Sequence, residues 1–139
     1  MATRVIRSVE KEVLKYPAGL DAIESVVLRS DDAEELASAV AGVEGRLALL
    51  AGTVLEKVDA AQDYYKPYDG TGTIAGVLGD NIYFHDAAGE RKAADMLFHG
   101  CVFNKNKIID FATYEADLAT DLPTCRFEDH YDSDGELIE

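Results

Sequence analysis

The sequence contains no tryptophan, two cysteines, three prolines and three histidines among its 139 residues. Two cysteines are too few for a disulfide framework, and their spacing does not match a zinc site. We expect Cys101 and Cys125 to be buried free thiols, with a bridge between them as the alternative. The histidines do not form the i, i+4 pair of a metalloprotease helix, so we expect no metal site.

Positive charge is also scarce, with 13 Lys and Arg against 27 Asp and Glu and a formal net charge of −14. Nucleic-acid binding requires basic side chains that displace phosphate counterions, so we expect no nucleic-acid partner. No apolar run approaches the roughly 20 residues of a bilayer-spanning helix, and the first residues lack the apolar stretch of a secretory signal. We therefore expect a soluble protein that is made in the cytoplasm and has no membrane partner.

Residue patterns typical of catalysis are missing from the sequence as well. No serine lies in a nucleophile elbow, and Gly70-Thr71-Gly72 lacks the Lys-Ser/Thr and the helix start of a phosphate loop. His130-x-Asp132-x-Asp134-Gly135 resembles a calcium loop but has His at its first position. We expect no enzyme activity, no catalytic residues and no cofactor.

The most informative pattern that is present is a β pattern between residues 52 and 111. Short runs of Val, Ile, Leu, Tyr and Phe alternate there with Gly, Asp and Asn. Gly76, inside an apolar run, predicts a close neighbour. Pro67 favours an edge strand or an extended connection at 64–68. Other strands are predicted at 25–29, 53–58, 73–78, 82–84 and 95–103.

Two short helices are predicted outside this pattern. One starts at Ser30, a capping residue followed by acids, and runs to Gly42, with a loop leading into a strand as the alternative. The other covers 114–122 and ends before Pro123. The predicted fold class is mainly β (α+β): a small β-rich, barrel-like module with one or two short helices and extended termini.

We divide the chain into an N-terminal arm at 1–20, a β-rich domain at 21–112, and a short helix with an acidic tail at 113–139. The tail has few apolar residues and is expected to be mobile in isolation. Residues 111–139 carry nine acids and one base. The arm carries two acids and four bases: Arg4, Arg7, Lys11 and Lys15. This asymmetry suggests ends with different neighbours, although both could be merely solvated.

Tyrosines are concentrated beside Pro67. Tyr64, Tyr65 and Tyr68 are candidates for a protein interface, because interfaces are rich in Tyr and poor in Lys. Packing in the core is the alternative for about half of the aromatic cluster that they form with Tyr83 and Phe84.

Four motifs follow one another along the chain: Gly52-Thr53-Val54-Leu55, Tyr65-Lys66-Pro67-Tyr68-Asp69-Gly70, Ala75-Gly76-Val77-Leu78, and Met96-Leu97-Phe98-His99-Gly100-Cys101-Val102-Phe103-Asn104-Lys105. Their order and spacing resemble the head decoration proteins of tailed phages, the lambda-like capsid-cementing family. The similarity covers about half of the chain. It departs from the family at Glu56, where Gly is frequent, and segment 111–139 does not align.

The resemblance implies a structural virion protein without catalysis or cofactor. It would bind the capsid exterior as a homotrimer at local three-fold axes, with the major capsid protein as partner, and stabilise the expanded, DNA-filled head. The family's N-terminal arm adds a strand to a capsid-protein sheet. Carried over, Met1–Tyr16 would be that arm. From its charge alone, we expect its bases to face an acidic shell. Deleting Met1–Tyr16 should then abolish shell binding and leave a folded core.

Two other functions are compatible with the residues. A soluble ligand-binding β module would use the tyrosine-lined edge as its pocket. A small hydrolase would need a pocket that holds a perturbed carboxylate or histidine.

Overall fold

The computed structural model describes residues 13–15, 19–35, 47–58, 64–84 and 89–139. Within these ranges the chain is mainly β, with one α-helix, and the predicted fold class is confirmed. The strands are β1 Ile23–Arg29, β2 Glu34–Glu35, β3 Leu47–Leu49, β4 Val54–Lys57, β5 Tyr65–Pro67, β6 Ile74–Leu78, β7 Ile82–Phe84, β8 Arg91–Leu97, β9 Val102–Asn104 and β10 Arg126–Glu128. The helix is α1 Phe111–Asp121.

Five strands close into a barrel in the order β1-β5-β4-β6-β8. The longest pairing is antiparallel, between β1 and β8, from Ile23↔Leu97 to Arg29↔Arg91. The barrel closes through β5, which runs parallel to β1 at one paired position and antiparallel to β4. Closure leaves these strands without a long open edge that could pair with other chains.

Two smaller sheets extend the barrel. One has the order β2-β3-β7. The other joins both ends of the described chain: β10 pairs with β9 in parallel, and Leu14 forms an antiparallel bridge with Phe103 of β9. We call Val13–Lys15, β9 and β10 together the terminal sheet.

Neighbouring residues on the barrel strands belong to two different hydrophobic clusters. Val54 of β4, Val77 of β6 and Leu97 of β8 pack in one cluster with the terminal sheet and α1. Their chain neighbours Leu55, Leu78 and Met96 pack in the other cluster with β3 and β7. Because side chains alternate across a strand, both faces of these strands are buried, which explains their continuous apolar runs.

Gly76 of β6 has the close neighbour that the sequence predicted. A Cβ at this position would lie 2.6 Å from Met96 Cγ and 2.7 Å from the Leu97 carbonyl oxygen. The predicted strands at 25–29, 53–58, 73–78 and 82–84 are observed as β1, β4, β6 and β7. The helix predicted at 114–122 is observed as α1, which begins three residues earlier.

The prediction of one long strand at 95–103 is wrong. The chain forms β8 up to Leu97, turns at Gly100 with φ 65°, and resumes as β9 at Val102. The Gly100 N–H donates to Thr124 Oγ1 at 3.1 Å, so it bonds to the segment ahead of β10 rather than to a barrel strand. Apolar composition runs through this turn, and composition alone therefore did not locate it.

After β1, the described residues match the alternative prediction, a loop leading into a strand, and not the start of a helix. Ser30–Asp32 is a single 3-10 turn followed by β2, and the rest of the predicted helix, at 36–42, lies outside the described residues. Ser30 does not cap a helix, because it is buried and its Oγ accepts the Glu90 N–H at 3.2 Å. Long-range contact with the loop before β8 thus replaces the local cap that the pattern suggested.

The prediction of an edge strand at 64–68 is wrong as well, because β5 lies inside the barrel between β1 and β4. Pro67 is accommodated because it ends the strand, two residues beyond the position where β5 pairs with β1. A proline at that point removes no hydrogen bond from the β1 ladder.

Candidate functional site

The predicted capsid-contact arm is divided by the structure. Arg4, Arg7 and Lys11 lie outside the described residues, and Lys15 lies in the terminal sheet. Val13 and Leu14, which were assigned to the arm, are 3% and 7% exposed and belong to the core. These two residues of the predicted arm are therefore part of the folded body.

Backbone hydrogen bonds hold this segment to β9. The Lys15 N–H donates to the Val102 carbonyl at 2.7 Å, and the Asn104 N–H donates to the Val13 carbonyl at 2.8 Å. Each bond satisfies a polar group that would otherwise be buried without a partner beside apolar side chains. The chain thus enters the domain as an added strand at a defined position.

A long-range ion pair fastens the same segment to β10. Lys15 Nζ donates to Glu128 Oε1 at 2.9 Å, and this hydrogen bond lowers the pKa of the Glu128 carboxyl below its ordinary value. Lys15 is therefore paired with a residue of the domain itself. The three other predicted arm bases precede the segment Val13–Lys15, which we call the anchor. Sequence reasoning missed Glu128, because its partner is more than one hundred residues away.

The three tyrosines proposed as interface residues are buried. Tyr64, Tyr65 and Tyr68 are 8%, 8% and 7% exposed. The Arg29 guanidinium lies 3.8 Å from the Tyr64 ring centroid, a cation–π contact. The expectation that these rings supply exposed contact surface is therefore corrected: they pack in the core. The ligand-binding alternative loses its tyrosine-lined edge for the same reason.

Tyr68 connects the barrel to α1. Its hydroxyl donates to Asp117 Oδ2 at 2.9 Å, and its ring meets Tyr114 edge-on at 5.0 Å. The bond to Asp117, with burial and the charges of Asp117, Asp121 and Glu56 adding to it, raises the pKa of Tyr68 to about 12. Negative charge around a phenol disfavours its ionised form.

The carboxylates beside Tyr68 have structural partners. Glu56 Oε2 accepts the Asp69 N–H at 3.1 Å, and Asp121 Oδ2 accepts the Ile74 N–H at 2.9 Å. They satisfy backbone donors at the two ends of the turn between β5 and β6, which is the arrangement that a buried carboxylate requires.

Glu56 lies at an irregularity in the pairing of β4 with β6. The register between β4 and β6 shifts between Leu55 and Glu56, and the Glu56 side chain is buried against Gly72. A Cβ at Gly72 would lie 2.5 Å from Glu56 Oε1. The loop glycine leaves the space that the carboxylate occupies.

The other residues considered for chemistry lie apart from one another. His85 falls outside the described residues, His99 is exposed with Nδ1 at 3.2 Å from Thr124 Oγ1, and His130 Nδ1 is buried without a hydrogen-bond partner. Asp132 Oδ1 accepts the N–H groups of Asp134 and Glu136, so the calcium-like loop is closed by its own backbone. In the described ranges, no three His, Cys, Asp or Glu side chains are grouped to hold a metal ion.

The acidic tail packs against the domain. Leu122 and Cys125 are buried, and the Phe127 ring stacks on Phe103 with centroids 5.3 Å apart. The buried Asn104 donates from Nδ2 to the Ile138 carbonyl at 3.0 Å. The available signal was the apolar spacing of Leu122, Cys125 and Phe127, which the surrounding acids obscured.

Comparison with known proteins gives no relative for this chain: no family model, no curated protein and no solved structure matches it. Among the described residues, no helix has the length and apolar character needed to cross a membrane.

Proposed function

We propose that this chain is a structural virion protein that binds the outer surface of a tailed-phage capsid and stabilises the expanded, DNA-filled head. It acts as a homotrimer at local three-fold axes, and its partner is the major capsid protein. The proposal assigns it a binding role without catalysis. The four motifs that resemble those of head decoration proteins motivate the proposal. The strongest structural support comes from the terminal sheet.

The motifs occupy connected parts of one structural unit, which supports reading them together. Gly52–Leu55 leads into β4, and Ala75–Leu78 lies in β6, the antiparallel neighbour of β4. Tyr65–Gly70 forms β5 and its turn, on the other side of β4. Met96–Lys105 ends β8 and forms β9. Motifs that build one barrel and its attached sheet point to a shared scaffold rather than to separate sites.

The single observation that carries the proposal is the anchor at Val13–Lys15. The segment is bonded to β9 on its backbone and to Glu128 through Lys15. Arg4, Arg7 and Lys11 precede this fixed point. Residues that precede a segment held by hydrogen bonds can bind a second surface while the core of the domain stays packed, as in binding by β-strand addition.

The stabilising mechanism is thermodynamic. A subunit that binds the assembled shell, and not its free components, shifts the equilibrium toward the shell by mass action. Three arms on one trimer turn weak single contacts into a strong joint one, because the second and third contacts form at high effective concentration. Added shell stability resists the internal pressure of packaged DNA.

The test is binding to undecorated, expanded heads made from the cognate major capsid protein. The wild-type chain should cofractionate with heads and raise the temperature at which they release DNA. A variant lacking residues 1–12 should stay folded and lose most of this binding. So should the triple variant Arg4→Gln, Arg7→Gln, Lys11→Gln, if the arm bases face an acidic shell.

A matched control removes the same charge from the folded body. Lys57→Gln, Lys66→Gln, Arg126→Gln changes three bases outside the arm and should bind heads almost as wild type does. Wild-type protein that does not cofractionate, or heads whose stability is indifferent to it, would contradict the proposed function. Equal loss of head binding in the two triple variants would be compatible with the proposed function but would contradict the role of the arm.

A further inference from the structure

Cys101 and Cys125 lie opposite each other where β10 begins to pair with β9. The first paired position of this parallel ladder is Arg126↔Val102, and the Arg126 N–H donates to the Cys101 carbonyl at 2.9 Å. The Gly100 N–H donates to Thr124 Oγ1 at 3.1 Å, so the same offset of 24 residues extends back through the two cysteines.

This placement suits a disulfide. Neighbouring strands lie about 4.8 Å apart, and disulfides join Cα atoms roughly 4.4–6.8 Å apart. Both cysteines are free and buried, at 2% and 9% exposure.

The surroundings allow a small reagent to reach the pair. His99, Gly100 and Thr124, which border the thiols, are all exposed. Cys125 is the less buried of the two cysteines and is adjacent in sequence to Thr124. A small disulfide therefore meets Cys125 first.

The two neighbouring thiols shift each other's pKa in opposite directions. The neighbouring Cys101 lowers the pKa of the Cys125 thiol, with Thr124 and the charge of His99 acting in the same direction. The neighbouring Cys125, with burial and the charge of Asp21, raises the pKa of the Cys101 thiol. A thiolate is the reactive form in thiol–disulfide exchange, so Cys125 has the character of the attacking group.

We propose that Cys101 and Cys125 form a dithiol site that low-molecular-weight disulfides, such as glutathione disulfide, oxidise to an intramolecular disulfide. The Cys125 thiolate attacks one sulfur of the small disulfide, breaks its S–S bond and releases one small thiolate. Cys101 then loses its proton, and its sulfur attacks Cys125 Sγ and displaces the second small thiolate. Two protein thiols are oxidised, and one small disulfide is reduced to two thiols.

The bridge would close a loop of residues 101–125, which contains α1, and would fix β10 to β9 covalently. A disulfide mainly restricts the unfolded chain, so the oxidised protein should be the more stable form. Residues 126–139 follow the bridge directly and should be held more firmly at their start. This inference does not depend on shell binding.

The test incubates the folded chain in glutathione buffers of increasing oxidised fraction and measures intact mass after acid quenching. The expected product has lost two hydrogens and carries no glutathione. Its tryptic map should join peptides 93–105 and 108–126, which contain the only two cysteines. The oxidised chain should melt roughly 5–10 °C above the reduced one.

Single variants separate the two steps. Cys101→Ser should stop at one glutathione on Cys125, and Cys125→Ser should react much more slowly, with both variants checked for native circular dichroism. The wild-type chain unfolded in urea serves as the control for the oxidising strength of the buffer. The decisive buffers are those in which the unfolded chain is oxidised. The proposal is overturned if, in these buffers, the folded wild type stays reduced or holds glutathione without forming the disulfide.

Discussion

Gly52 lies where three segments meet: the turn before β4, the end of β6 at Leu78, and the segment at Ile109. It adopts φ 93°, its N–H donates to the Leu78 carbonyl at 2.8 Å, and its carbonyl accepts the Ile109 N–H at 3.0 Å. A Cβ here would overlap the Lys107 carbonyl oxygen. Since backbone atoms cannot rotate away as a side chain can, this contact leaves no room for any other residue.

Gly52→Ala should therefore destabilise the protein by several kcal/mol, about 3 or more. Gly70→Ala is the matched control, because Gly70 has φ 98° but no atom within 4 Å of an added Cβ. That control should cost only about 1–2 kcal/mol, the backbone contribution alone. Urea denaturation of both variants measures the difference, and equal losses would show that the Lys107 contact does not matter.

Tyr68 gives a prediction on pH dependence at the same scale. Its folded-state pKa of about 12 lies above the ordinary value of 10.0. A group with a raised pKa stabilises the fold fully below its unfolded pKa, and this contribution is lost as pH rises through the folded pKa. Stability should therefore fall between pH 10 and pH 12, where the unfolded chain loses this proton first.

Ultraviolet absorbance titration should show a late ionisation step that belongs to Tyr68. Tyr68→Phe should abolish this late step and reduce the loss of stability in that pH range. Tyr131→Phe, at a ring that is 53% exposed, should leave the late step unchanged. A late step that survives in Tyr68→Phe would assign the raised pKa to another residue.

The terminal sheet is the element that brings both ends of the described chain together. Its middle strand, β9, contacts Val13–Lys15 on one side and β10 on the other. Short strands of this kind contribute little alone, and their stability comes from the apolar residues they bury against the barrel.

Two deletions at the N-terminus should distinguish the effect of the anchor, Val13–Lys15, on stability from that of the residues before it. Removing residues 1–12 keeps every described core residue and should leave the midpoint of urea unfolding close to that of wild type. Removing 1–16 takes away Val13 and Leu14, which are buried, and should cost roughly 3–6 kcal/mol. This corrects the expectation that deleting Met1–Tyr16 leaves the core intact. Equal stability of the two deletions would contradict the anchor.

Phe127 tests the other side of the terminal sheet. Its ring stacks on Phe103 and lies 5.7 Å from the Phe111 centroid, so Phe127→Ala should cost about 2–4 kcal/mol. Tyr131→Ala, at an exposed ring in the same tail, should change stability by less than about 0.5 kcal/mol. Thermal unfolding measures both, and matching effects would mean that the tail does not pack as described.

For the whole molecule, the net charge of −14 is the dominant long-range property. Like charges repel one another in the compact state, and salt screens that repulsion. Sodium chloride added from low ionic strength to about 0.5 M should therefore raise the melting temperature. The same salt should weaken binding of the basic arm to an acidic shell, so stability and head binding should respond in opposite directions.

A variant with fewer acidic side chains tests whether charge repulsion causes the rise in melting temperature with salt. Glu115→Gln, Glu136→Gln, Glu139→Gln removes three exposed acids and should show a smaller rise in melting temperature with salt. A salt response identical to that of wild type would mean that charge repulsion is not its cause.

Local patterns predicted several elements well. The apolar runs around Val54, Ile74 and Ile82 became strands, and the segment ahead of Pro123 became the end of α1. The terminal sheet could not be predicted in the same way. Its contacts join Leu14 to Phe103 and Lys15 to Glu128, and no local pattern reports a pairing between segments so far apart.

The sequence by itself determined the β-rich class, the positions of β4, β6, β7 and α1, and the close packing at Gly76, because propensity and periodicity act between near neighbours. Tertiary structure alone decided the closure of the barrel through β5, the burial of the tyrosines, the turn at Gly100 and the anchor at Val13. Each of these depends on which distant segments meet, and long-range burial and hydrogen bonding outweigh the weak local preference at those positions.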